Sequence, residues 1–92
     1  MTDDVRDNPD RQRFELDFGG GRLAVAEYRL AGGVLMALHT EVPKELEGRG
    51  IGSRLVRGVL AQARARGLKV RPICSFVRAY MDRHPEYADL RA

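Results

Sequence analysis

The chain predicts an α+β fold: a mixed, mostly antiparallel sheet of about four strands with two helices packed on it. Three observations lead there. Apolar residues alternate through the first third of the sequence. A helical apolar stripe runs through the middle, and a short apolar strand with a second helical stripe follows it. A chain of 92 residues carries one modest core, so residues 12–92 read as one domain behind a flexible N-terminal arm over 1–11.

That arm is polar, contains Asn8-Pro9, and shows neither apolar periodicity nor an apolar secretory segment. "RFELDF" then places Phe14, Leu16 and Phe18 on one side and Arg13, Glu15 and Asp17 on the other, as in a half-buried strand. "GGG" at 19–21 is a turn, "RLAVAEYRL" a second strand and "AGG" at 31–33 a hairpin loop. "VLMALH" at 34–39 is apolar almost throughout, which suits a strand covered on both faces. Pro43 ends it, because proline cannot donate to a ladder.

From Gly50 the period changes. Ile51, Leu55, Val56, Val59, Leu60 and Ala63 recur at helical spacing, with Arg54, Arg57, Arg64 and Arg66 largely off that stripe. Gly67 is a natural helix stop. "LKVRPIC" is a short strand broken by Pro72. Ser75 is the expected N-cap of a last helix carrying Phe76, Val77, Tyr80 and Met81, which His84-Pro85 should end. A strand–helix–strand unit in this order should pair in parallel.

Composition limits function. Hydrophobic residues make up 43% and charged residues 32%, an ordinary globular balance with no run long enough to span a membrane. One cysteine, Cys74, excludes an internal disulfide and a cysteine-rich zinc site, and fits a reducing cytoplasm. The net charge of +3 points either to a solvated basic surface or to an anionic partner.

"EVPKELEGRGIGSRLV" sharpens that choice, because Gly48, Gly50 and Gly52 stand where a helix begins. Glycine inside a helix costs about 1 kcal/mol relative to alanine. A helix N-terminus offers unpaired N–H groups and the positive end of the dipole, and glycines let phosphate approach them. A turn with close helix–strand packing explains the same glycines without a ligand. The pattern is neither a P-loop nor a dinucleotide fingerprint: no Gly-Lys-Ser/Thr follows, and Ser53 stands just past Gly52.

"GRGIGSRLV" after a strand and a proline resembles the pyrophosphate loop of the GNAT superfamily of acyl-CoA N-acyltransferases, whose motif is Arg/Gln-x-x-Gly-x-Gly/Ala. Gly50 and Gly52 match its small positions, while Glu47 falls where the family has Arg or Gln. With "HTEVPKELEGRGIGSRLV", "GLKVRPIC" and "FVRAYMDRHPEY", the resemblance covers most of residues 12–88 and is to a compact branch of the superfamily. Compared with a full-length enzyme of that kind, the chain lacks helices between the first strands and lacks the last two strands.

The resemblance implies a minimal GNAT-like fold and an N-acetyltransferase using acetyl-CoA as cosubstrate, with an amine acceptor and no metal. It implies that the two parallel strands splay to admit pantetheine, with the thioester near His39, Thr40, Glu41 and Cys74. Val42, Pro43, Gly48, Arg49, Gly50, Ile51, Gly52, Ser53 and Arg54 are then the expected cofactor contacts. Arg57 is a further candidate for the remaining phosphate charge.

Acyl transfer to an amine needs a base, donors for the oxyanion and an acid for the departing thiolate. Glu41 is the candidate base, with His39 sharing the role; each is also explained as an ordinary strand residue. Tyr80 is either the acid or a core aromatic. Cys74, before a helix start that could lower its pKa, either takes the acyl group or lines the pocket.

Two other functions fit the sequence. One is a non-catalytic CoA-binding or protein-interaction module. The other is a small basic nucleic-acid-binding domain, disfavoured because Phe14, Phe18 and Phe76 fall on apolar stripes rather than in an exposed stacking array. The unfinished edges of a short mixed sheet would let two copies pair.

Overall fold

The computed structural model describes residues 4–92. Five strands form one sheet in sequence order: β1 (Arg6–Asn8), β2 (Arg13–Asp17), β3 (Leu23–Ala31), β4 (Val34–Glu41) and β5 (Lys69–Pro72). The first four are antiparallel, and β4 pairs with β5 in parallel, from Val34 opposite Lys69 to Ala37 opposite Pro72. Helix α1 (Ile51–Ala65) makes the crossover, and α2 (Ser75–Arg83) follows β5. Tight turns close the meander. Gly32 and Gly33 hold φ of 56° and 78° in the two-residue link between β3 and β4, geometry that residues with a Cβ adopt rarely.

Both helices pack on one face of the sheet. Phe14, Leu16, Leu35, Leu55, Val56, Leu60 and Val70 are fully buried there, and Val77, Tyr80 and Met81 of α2 join the same cluster. Each large aliphatic side chain so placed contributes roughly 1.5–3 kcal/mol relative to exposure. The predicted stripe on α1 is the buried one, with Gly58 added to it.

Three expectations are corrected. The sheet has a fifth strand, β1, drawn from the stretch read as a flexible arm; residues 1–3 of that stretch lie outside the described residues. Val5 is buried against α1, Gln62 donates to the Val5 carbonyl at 2.9 Å, and the Tyr28 hydroxyl donates to Asp7 at 2.5 Å. A three-residue strand has no periodicity to read; tertiary contacts impose it.

Secondly, β4 is covered on one face only. Leu35 and Ala37 are buried, whereas Val34 and Met36 are half-buried on the open face. Arg29 and Arg71 stand opposite Met36, and Lys69 opposite Val34, so long cationic stems flank the apolar groups. Thirdly, Cys74 rather than Ser75 occupies the N-cap of α2. The C-terminal segment adds to the core: a 3-10 turn (Pro85–Leu90) buries Leu90, and Arg91 bridges to Val70 on β5. The expected break at His84 does occur there, at φ −127°, ψ 80°.

Candidate active site

After β4, Pro43 leads into a short 3-10 turn (Lys44–Leu46), anchored by buried Leu46. The chain then runs through Gly48 and Gly50, at φ 83° and 71°, both in the left-handed region. Gly50 is the N-cap of α1. Among the described residues no side chain caps this helix, no acidic residue occupies its first turn, and the first ladder bond runs from Arg54 N–H to Gly50 C=O. Helix geometry leaves the preceding amides without intrahelical partners.

They border a surface cavity of about 310 Å³ whose walls include Val42, Glu47, Gly48, Gly50, Ser53 and Phe76. Backbone donors with a helix dipole behind them form a suitable anion cradle. Glu47 is the exception, since its carboxylate opposes an anion there.

Gly52 serves a different end. It lies within the helix, and a Cβ there would sit 2.8 Å from Cζ of Phe76. Its neighbours Gly48 and Gly50 face open space on that side. Two glycines of the motif therefore satisfy backbone torsion, and the third lets a ring from α2 seat on α1.

Beside this turn β4 and β5 part. Cys74 N–H donates to Ala37 C=O at 2.8 Å, and pairing between these strands stops there. β4 runs on to Glu41 paired only with β3. Pro72, the last residue of β5, has no N–H to extend the ladder. The parallel ladder therefore ends short of the C-terminal end of β4.

A register shift between Glu27 and Tyr28 leaves Leu38 as an extra residue in β4. A bulge of this kind reverses the alternation beyond it. Thr40 consequently turns to the helix side, where its hydroxyl lies 3.5 Å from the Cys74 sulfur. His39, opposite Glu27, and Glu41 are exposed by the same alternation on the open face.

Burial raises the pKa of the Cys74 thiol, but hydrogen bonding from the Thr40 hydroxyl and from the amides of Val77, Phe76 and Thr40 outweighs it, so the net direction is down. None of these closes a formal cap bond on α2. The effect is the stabilisation of a thiolate by converging donors at a helix start.

The structure therefore brings Cys74 and Thr40 together and sets His39 and Glu41 on the other side of the same strand. Tyr80 lies apart from them in an aromatic cluster. Its ring stacks on His84 at 4.1 Å and stands 6.0 Å from Tyr87. Burial and then the Tyr87 neighbour raise its pKa, partly offset by Arg57.

Of the predicted cofactor contacts, Val42, Gly48, Gly50, Ile51, Gly52 and Ser53 line the cavity. Pro43 shapes its approach as the N-cap of the 3-10 turn, and Arg49 is exposed between two glycines. Arg54 turns away, 3.7 Å from Asp4 and over the Phe18 ring. Phe76, read from sequence as a core residue, is instead 39% exposed at the cavity wall. Its position two residues after Cys74 was the one available signal.

Comparison with known proteins agrees with this geometry. The model of a family described as GCN5-related N-acetyl-transferase matches residues 13–90. Among solved structures, the chain is similar to a GCN5-like protein from Staphylococcus aureus, determined in solution by NMR and described as a proposed N-acetyltransferase. The two share 27% identity with a TM-score of 0.74, over 100% of this chain and 91% of that one. No curated protein gives a significant match. A glycine-built helix start, a parallel ladder that ends early and a match over nearly the whole sheet and both helices agree: the chain belongs to the GCN5-related N-acetyltransferase family.

Proposed function

We propose that the protein transfers an acetyl group from acetyl-CoA to an amine. The observation that carries this reading is the glycine-built start of α1 beside a parallel ladder that ends early, next to a hydrogen-bonded thiol. Amides from Gly48 to Ser53 hold the diphosphate, and Arg49 meets the remaining phosphate charge. The Thr40 amide points at Cys74. Alternation along the strand turns the Val42 amide the same way, towards the pantetheine arm.

Acetyl-CoA supplies an activated thioester. The Cys74 thiolate attacks its carbonyl carbon, forming a Cys74 thioester as the CoA thiolate leaves. The acceptor amine then attacks that carbonyl, giving the amide as the Cys74 thiolate leaves. Donors around the sulfur that favour the thiolate favour the first step. Glu41 and His39 take the proton released by the amine as it enters from the open face. Tyr80, held by His84 and Tyr87, supports the start of the last turn rather than donating a proton.

A second reading, a CoA-binding module without turnover, is favoured by one observation: His39 and Glu41 lie on the opposite side of β4 from Thr40. Acetyl-CoA consumption over a broad amine panel, run beside calorimetric binding, separates the two. The transferase reading expects turnover and one acetyl group on the intact protein without acceptor, both lost in Cys74→Ala. Binding without turnover selects the module. Undiminished turnover in Cys74→Ala removes the covalent step.

A further inference from the structure

Large hydrophobic side chains exposed among the described residues are Leu30, Ile73 and Phe76, at 52%, 47% and 39%. Leu30 lies near the end of β3, but Ile73 and Phe76 flank Cys74. Phe76 also has a fixed seat. Its ring rests on the bare Cα of Gly52, in the first turn of α1, while its own amide helps hold the Cys74 sulfur in the first turn of α2. The same ring walls the cavity at the glycine turn. One residue therefore links the α1 start, which the acetyltransferase reading assigns to the diphosphate, with the α2 start that holds Cys74.

Resting on that reading, we propose that Phe76 is a positioning residue of the transfer site. Its ring, keyed onto Gly52, sets the spacing between the diphosphate turn and Cys74 and forms the wall against which the pantetheine arm lies. Gly52 is glycine to seat this ring, so its effect on binding passes through Phe76. This differs from a glycine needed for phosphate approach, whose replacement would act whatever stood at position 76.

The two accounts separate in a double-mutant cycle read by CoA titration. Loss of this contact should cost roughly two- to tenfold in affinity. Phe76→Ala should weaken CoA binding by that factor and raise KM for acetyl-CoA with kcat changed less. Gly52→Ala should weaken binding in the parent, because its Cβ drives the ring out, and add little in the Phe76→Ala background.

Circular dichroism and melting confirm that each variant folds. Phe76→Leu, which keeps most of the apolar volume, carries the test with an intermediate loss if Phe76→Ala does not fold. Additive losses at the two positions, or Phe76 variants that bind CoA as the parent does, overturn the proposal and leave the acetyltransferase reading standing. A parent chain that binds no CoA overturns both.

Discussion

At position 50 the backbone holds φ of 71° at the N-cap of α1, with open space where a side chain would project. Asparagine and aspartate both tolerate this left-handed geometry better than other residues with a Cβ. They differ chiefly in charge, so they form a matched pair. Gly50→Asp should weaken CoA binding at least tenfold more than Gly50→Asn, because it sets a carboxylate against the diphosphate. Equal affinities by calorimetry would place the phosphates elsewhere.

Cys74 allows a second test at this scale. Its thiol is held below the ordinary range, so alkylation by iodoacetamide should reach half its limiting rate at lower pH than for an unperturbed cysteine. Thr40→Val removes the hydroxyl donor 3.5 Å away and should move that midpoint up. A midpoint unchanged by Thr40→Val would show that the hydroxyl does not stabilise the thiolate. Glycine spacing made the turn legible in the sequence. What separates Gly50 from Gly52 was not legible, because one answers to its own torsion and the other to a ring 24 positions away.

The elements form where period and turn chemistry agree. Alternation in β2, the stripe of α1 and the stop at His84-Pro85 were readable because each is local. Segment β1 was not, since its cause lies on another element. A Cβ at Gly58 would sit 2.5 Å from Val5 Cγ2, so this glycine opens the gap into which Val5 packs. Propensity alone would make Gly58→Ala stabilising by up to about 1 kcal/mol. Overpacking against a β-branched side chain costs roughly 1–3 kcal/mol and should win. We expect a net loss near 1 kcal/mol, a fall of about 4–8 °C in Tm, reversed when Val5→Ala is added. A higher Tm in Gly58→Ala alone would mean that residues 4–8 are only loosely held. The bulge at Leu38 was equally invisible in the sequence, yet it turns Thr40 rather than His39 towards Cys74. A reading of β4 by strict alternation therefore misassigns the side that faces Cys74.

Across the whole molecule, charge is arranged mainly to fasten the ends. Arg54 pairs with Asp4, Arg66 with Asp7, Arg64 with Asp89 and Arg91 with Asp82, so much of the basic character seen in the sequence is locally answered. This arrangement also weakens the case for an arginine-rich nucleic-acid surface. The Tyr28 hydroxyl bonded to Asp7 ties β3 to β1, and burial followed by that carboxylate pushes its pKa from 10.0 up to about 12. A raised pKa in the folded state means that this stabilisation is complete below pH 10 and lost as pH climbs to about 12. Tyr28→Phe should cost roughly 1–3 kcal/mol near neutrality and much less near pH 12, as read by denaturant melts. A deficit constant with pH would contradict the linkage.

The account's central claim is that free amides at the start of α1 receive a diphosphate. The most direct measurement is an amide NMR titration of the chain with CoA. Saturable shifts should be largest for Gly48, Gly50, Ile51, Gly52 and Ser53, and extend to Val42 and Phe76. Saturable binding that leaves these amides unmoved, or no binding at millimolar CoA, would contradict it.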